Sequence, residues 1–477
     1  MPAVTLPTSA AQRVHEASVD ILTEVGFCVP APEVLERLAA AGFPVDRDSP
    51  MVRVTPNLLE TALERLPRDV TLHGRGGEAV VAAAHGSCFM GAGTPVNVLD
   101  PRTGERRLAT REDVRQLVTL QDALSQVDVV RPTVTATDQG ECSDLVEIAE
   151  LLRLTDKPVV HRVLSPDRVG AAVEMIYAVA GGEEAFHARP NFATLYCPIS
   201  PGYFTSDNVR CMVRWAEHGV PLTLLSMAMG GASAPATLLG ELVVINTDIL
   251  AWVVALQMLY PGTPLLYGSV SAVLDMRTGL LPLGAPERGM VNGGAAVMAR
   301  YYGMPCMCGG LSSDAKELDA QAGFEKAITA IPLLLEGADI IYGVGAVDAG
   351  SSISYTQMVL DDELAAGLRR LMGGVEIHDL AEEVALIKVN TPRGNFLKEK
   401  HTRRTFRRHW QPGILSRDTY EAWEGRGETI EEVCRRRVRE VLEEHQPPAL
   451  SAPLEAELER IVRRYLGPAF QFERMTG

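Results

Sequence analysis

The sequence predicts a closed (β/α)8 barrel of class α/β, and three observations carry that expectation. Short apolar runs recur through the middle of the chain, at 127–130, 158–161, 191–196, 221–225, 264–267, 304–308 and 339–342. Amphipathic segments of helical period lie between them, several entered after Pro and closed by Gly. Apolar strands alternating with helices imply parallel strands covered on both faces. No Gly-rich dinucleotide fingerprint follows the first strand, which favours a closed barrel over a doubly wound sheet.

The elements follow in order. Residues 9–24 read as an amphipathic helix stopped at Gly26, followed by helices at 32–41 and 56–66. A β-rich passage at 70–99 leads into a hairpin-like turn at 98–107, punctuated by Asp100-Pro101 and Thr103-Gly104. Thr110 and Asp113 form a capping box for a helix running to about Ser125. Further helices are expected at 144–154, from Ser165-Pro166 to Gly181-Gly182, at 206–218, 235–259 and 286–302, and after Gln321. Past Ser351 the pattern is helical at 357–371, 380–387 and 429–444. Three regions result: an N-terminal helical and β extension (1–85), the barrel (86–375) and a C-terminal helical region packing on it (376–477).

Composition narrows the function. The 477 residues carry a formal net charge of −16, which argues against nucleic acid and an anionic membrane surface as partners. The most apolar long segment, 241–259, contains Glu241, Asn246 and Asp248, the mark of a buried helix rather than a membrane span. Eight scattered cysteines form no CxxC pair, and the N-terminus shows no basic-then-apolar export signal, so a cytoplasmic protein is expected. The basic run 398–408 reads as a solvated face, with docking of an acidic partner as the alternative.

In a barrel, the residues just after each strand share one mouth. Here these loops are rich in Gly, Ala and Ser, which predicts a roomy cavity. His161, Cys197, Cys306 and Cys308 lack the spacing of metal ligands, so no metal site is expected. The loops also lack GxSxG and a phosphate-binding glycine loop. What remains is Asp275, Asp314, Asp319 and Asp348, with Tyr203, Phe204 and Tyr355, and with Met227 and Met229 beside them. Each Asp can instead cap the following helix, which is the favoured reading for Asp319. Acidic and aromatic groups together suit a bound cation and predict a net acidic mouth.

Four stretches resemble the trimethylamine methyltransferase family: SMAMGGASAPATLLGE (226–241), YGSVSAVLDMRTGLLPLGAPE (267–287), GGLSSDAKELDAQAGFEKA (309–327) and YTQMVLDDE (355–363). The resemblance extends from VHEASVDILTEVG (14–26) to EEHQPP (443–448). It implies a TIM barrel acting as the catalytic component of a corrinoid-dependent methyl transfer system. The corrinoid (cobalamin) is then supplied by a separate cognate corrinoid protein, with no cofactor bound tightly by this chain, which is expected to form a homo-oligomer. The founding enzymes carry pyrrolysine, whereas this chain runs in standard residues, so it is similar to the non-pyrrolysine branch of glycine betaine methyltransferases.

The expected substrate is accordingly a quaternary amine, glycine betaine or a related betaine. Asp314 and Asp348 are expected in catalysis. His161, Tyr203, Phe204, Met227, Met229, Asp275, Ser313, Gln321 and Tyr355 are expected around the substrate. A betaine carboxylate would need a donor, with His161, Arg277, Lys316 or backbone N–H groups as candidates. Three alternatives stand beside this: another methylamine such as trimethylamine, a metal-dependent barrel enzyme, and a non-catalytic binding subunit.

Overall fold

Short apolar runs form the wall of a barrel here, as eight strands of two to five residues. The computed structural model describes residues 5–81 and 86–472, so 82–85 of the expected β passage lie outside the described residues. The strands are β1 (Cys88–Gly91), β2 (Val127–Val129), β3 (Val159–Val160), β4 (Phe192–Tyr196), β5 (Leu222–Ser226), β6 (Leu265–Ser269), β7 (Cys306–Gly309) and β8 (Ile340–Val344). All neighbours pair in parallel, in the order β3-β4-β5-β6-β7-β8-β1-β2. A parallel bridge between Val130 and Val159 joins the ends of that order, so the sheet closes.

One helix follows each strand. These are α1 (Arg111–Ala123), α2 (Ser143–Leu154), α3 (Pro166–Ala180), α4 (Ser206–Glu217), α5 (Leu238–Leu259), α6 (Pro286–Tyr302), α7 (Ala320–Leu335) and α8 (Tyr355–Met372). The capping box is present: the Thr110 backbone N–H and hydroxyl both donate to Asp113 Oδ2, at 2.9 Å each. Among the described residues α5 is the one helix long and apolar enough to cross a membrane, yet it is mostly buried. Its internal polar groups explain why: Asn246 donates to Ser18 Oγ at 2.9 Å and Tyr302 Oη at 3.0 Å, tying α5 to the helix Thr8–Glu24 and to α6.

Strand side chains alternate between two environments, as period two requires. Met90, Val129, Val160, Leu195, Leu225 and Met307 fill the barrel interior. Phe89, Val159, Phe192, Leu224 and Cys306 face the helices. The interior is stoppered at its N-terminal end by Val70 and Leu72. Leu72 begins a hairpin whose backbone is held to the segments just before β3 and β4, with His73 N–H donating to Pro190 O at 2.8 Å and Arg75 N–H to Asp156 O at 2.6 Å.

Two differences from the expected elements stand out. Helix α8 begins at Tyr355 rather than 357, because Ser354 Oγ accepts the Gln357 N–H and sets the cap there. A helix at Ala452–Leu466, not foreseen, packs on α2 and α3 through Leu458, Ile461 and Val462. The helix Ile430–Glu444 packs on α8 and α1. The basic run 398–408 is largely exposed, with Arg404 paired to Glu382 at 2.5 Å.

Candidate functional site at the barrel mouth

The alternation that fills the interior also decides what faces the mouth. Counting two residues on from Val129, Val160, Leu195, Leu225, Met307 and Ile340 reaches Arg131, Arg162, Cys197, Met227, Gly309 and Tyr342. Cys197 and Tyr342 pack directly on the interior cluster. The Arg131 guanidinium lies 5.2 Å from the centre of the Tyr342 ring, a cation–π distance. Arg131 is only 3% exposed, and its Nε and Nη1 have no hydrogen-bond partner among the described residues. Burial lowers its pKa, and the nearby Arg162 lowers it further. Burial raises the pKa of the Cys197 thiol, against the pull of Arg162 and Arg131, so the sulfur is held neutral.

A third guanidinium enters from α6. Arg288 is buried, its Nη1 donates to Val270 O at 2.8 Å, and its Nε has no partner among the described residues. Burial lowers its pKa to about 10. A Cβ at Gly309 would lie 2.4 Å from Arg288 Nη2, so glycine there is what lets this arginine in.

The backbone beneath Arg131 is clamped. Gln121 of α1 accepts the Arg131 N–H at 3.2 Å and donates to the Arg131 carbonyl at 2.7 Å. A Cβ at Gly91 would lie 2.2 Å from Gln121 Oε1, so the glycine ending β1 admits the clamp. Beyond it, Thr133 adopts φ +60°, a left-handed conformation that a β-branched residue holds only under tertiary constraint. On the other side of the mouth, the loop after β8 is anchored by a fully buried pair. Lys326 Nζ lies 2.6 Å from Asp361 Oδ2 and 3.3 Å from Gly343 O, and Asp361 also accepts the Gly345 N–H at 2.7 Å.

The sequence-predicted residues fall into several groups. Met227 stands in the inward layer and is exposed at its top. Ser313, Asp314 and Gln321 gather on Glu325: the Ser313 hydroxyl donates at 2.8 Å, the Asp314 backbone N–H at 2.8 Å and Gln321 Nε2 at 2.9 Å. Asp314 Oδ1 accepts the Leu283 N–H at 2.7 Å, and burial raises its pKa. Asp348 lies between Arg106 Nε at 3.6 Å and Lys316 Nζ at 3.5 Å. Asp275 closes its own turn, accepting the Arg277 N–H at 2.9 Å and pairing with the Arg277 side chain at 3.3 Å. Asp319 caps α7 by accepting the Ala322 N–H. Met229 begins a two-residue strand, Met229–Gly230, pairing with Ala272–Val273 above the barrel.

Four expectations need correction. Phe204 is buried in the core with its ring 5.5 Å from Trp252, so its face is turned to protein rather than ligand. Tyr355 is buried at the start of α8 and its hydroxyl donates to Asp113 Oδ1 at 3.0 Å, because the helix begins one turn position earlier than the loop reading assumed. His161 faces outward, its Nε2 2.7 Å from Glu147 Oε2, since Val160 before it faces inward. The expected acidic lining does not face inward: Asp275, Asp314, Asp319 and Asp348 are engaged in turns, backbone contacts, a cap and ion pairs, while arginines stand at the inward positions. Tyr203 is half-buried, its carbonyl accepting the Ile199 N–H.

Sequence reasoning missed Arg131, Arg162, Arg288 and Tyr342. The available signal was an arginine directly after an apolar run, in VDVVRP and PVVHR. Cys306 and Cys308 face the helices. Among the described residues no group of three or more His, Cys, Asp or Glu is disposed to hold a metal ion.

Similarity to known proteins now bears on this mouth. A family model described as trimethylamine methyltransferase (MTTB) matches residues 2–466. The chain belongs to the trimethylamine methyltransferase family. Within it, the chain is 33% identical over 454 residues to trimethylamine methyltransferase MttB of Desulfitobacterium hafniense (strain DSM 10664 / DCB-2), covering 94% of this chain and 91% of that protein. It is 29% identical over 460 residues to a glycine betaine methyltransferase of Desulfitobacterium hafniense (strain Y51), covering 94% and 95%. Among solved structures it resembles the hydroxylamine complex of MtmB, with a TM-score of 0.51 at 13% identity over 91% of this chain and 92% of that one. That last likeness is one of fold, and it agrees with the closed barrel. Trimethylamine methyltransferase family membership makes the chain a methyltransferase.

Proposed function

We propose that this protein moves a methyl group from a quaternary amine, glycine betaine or a related betaine, to the cobalt(I) of a corrinoid carried by a separate partner protein. The observation that carries this reading is what the inward layer offers. Among the described residues it holds guanidinium, thiol, thioether and phenol groups, and no carboxyl or imidazole, because His161 faces outward onto Glu147. A tertiary amine must be protonated or captured by an electrophile before it can leave. A quaternary nitrogen already bears its charge, so the C–N bond breaks with its electron pair on the departing tertiary amine and no proton is required.

The chain's own work is orientation and shielding. The Tyr342 ring and the Met227 thioether offer polarisable faces to a methylammonium group, and Gly309 keeps side-chain bulk out of the layer. The corrinoid, when its carrier is docked, supplies the nucleophile. Leu164, Ile199, Met227, Met276 and Leu280, all on loops after barrel strands, are exposed apolar side chains around the mouth, which supports docking of that carrier there. The relationship to a glycine betaine methyltransferase supports the same substrate class.

The test is methyl transfer from a panel of N-methylated amines to the cognate corrinoid protein reduced to cobalt(I), followed optically. Glycine betaine or a close relative is expected to react fastest, with trimethylamine inactive or very slow. Trimethylamine reacting as fast as any betaine would defeat the proposal.

A further inference from the structure

The geometry points to a carboxylate subsite in the barrel mouth, built on Arg131 with Arg162 beside it, that holds the acid end of a zwitterionic methylammonium substrate. This rests on the function proposed above and deepens it. Arg131 is 97% buried by its 3% exposure, yet two of its nitrogens have no partner among the described residues. A buried charged group is ordinarily paired, because burial without hydrogen-bond partners is costly. Glu147, on the helix after β2, is engaged by His161 at 2.7 Å and by the Ala136 N–H at 2.8 Å. Arg288 satisfies one donor on Val270 O. Arg288 also feels the Asp314 carboxylate, whereas the Arg131–Arg162 side of the layer carries positive charge with no carboxylate paired to Arg131 among the described residues.

Such a layer repels a ligand that is only a cation and favours one bringing its own carboxylate. The Arg131 guanidinium lies over the Tyr342 ring and also donates to its hydroxyl, while its Nε and Nη1 have no partner among the described residues and are open to a carboxylate. Its backbone is fixed on both sides by Gln121, so the donors are held in place before the ligand arrives. With the carboxylate on Arg131, the quaternary nitrogen would face the rest of the inward layer, where Tyr342 and Met227 stand on different strands. Donor selection thus shifts from the expected His161, Arg277 and Lys316, which are turned to Glu147, Asp275 and Asp348 respectively.

Titration calorimetry of the full chain with glycine betaine and with tetramethylammonium, which lacks the carboxylate, tests this without the corrinoid partner. Wild type is expected to bind glycine betaine at least tenfold more tightly than tetramethylammonium. Arg131→Gln should weaken glycine betaine by roughly 10- to 100-fold, the range for a lost hydrogen bond to a charged group. It should leave tetramethylammonium unchanged or tighter. Should that variant fail to fold, Arg162→Gln at the less buried neighbour is expected to give the same selective loss, smaller in size.

Equal losses for both ligands overturn the subsite, as does undiminished betaine binding or no binding of either ligand to wild type. Failure here is distinguishable from failure of the proposed reaction. Methyl transfer from betaine that does not depend on Arg131 removes the subsite and keeps the reaction. Arg131-dependent betaine binding with no transfer to the corrinoid partner keeps the subsite and removes the reaction.

Discussion

Lys326→Ala is expected to destabilise the protein by about 3–5 kcal/mol, the usual consequence of removing one partner of a buried ion pair. Lys326 and Asp361 are both fully buried, 2.6 Å apart. Burial lowers the pKa of Lys326 and raises that of Asp361, and each draws the other back toward its charged form. Alanine at 326 leaves the Asp361 carboxylate with the Gly345 N–H and Gln357 Nε2 as its remaining donors. Urea denaturation measures the loss. The double variant Lys326→Met with Asp361→Leu should recover most of it, because an apolar pair of similar volume removes the desolvation cost. A loss below about 1 kcal/mol in Lys326→Ala would show that this pair is not what holds the loop after β8.

Glu241→Gln is expected to stabilise the protein at alkaline pH and to leave it unchanged in acid. Glu241 is fully buried on α5 beneath the Met229–Gly230 strand, with neither carboxyl oxygen hydrogen-bonded in good geometry among the described residues. Burial raises its pKa from 4.5 to about 7. The folded state therefore binds the proton more tightly than the unfolded one. The carboxyl does not penalise folding below about pH 4.5, penalises it increasingly as pH rises toward 7, and penalises it in full above that. A shift of this size corresponds to about 3 kcal/mol. Chemical denaturation at about pH 4 and about pH 8.5 tests the sign, with gain expected only at the higher value. An equal gain at both would assign the effect to packing.

The barrel was legible because its signal is redundant. A fully apolar run such as FATLY or LTLLS declares a strand buried on both faces, and seven such runs alternating with helices favour a barrel. The site was harder to read, because facing is decided by single-residue register. In PVVHR the sequence draws attention to His161, a chemically versatile residue, but the inward side chains are Val160 and Arg162. Which face of a two-residue strand looks inward emerges only when the sheet closes. The same limit explains Tyr355, whose ring depends on where Ser354 sets the helix cap. Arg288 was invisible for a different reason: it reaches the layer from a helix, through space vacated by Gly309 on a strand far from it in the local pattern.

Among the described residues, the stopper formed by Val70 and Leu72 leaves the barrel interior open at the mouth rather than at its base. Loading and unloading then share a single passage with the partner's approach, so the order of events is imposed by shape. Under the proposed function, the amine would be seated before the corrinoid carrier lands on the apolar rim, and the demethylated product would leave once the carrier has lifted away. Excess carrier should therefore inhibit turnover by holding the door shut, and initial-rate measurements at rising carrier concentration would reveal this as a maximum followed by decline. A rate that only saturates would mean that small molecules pass while the carrier is docked.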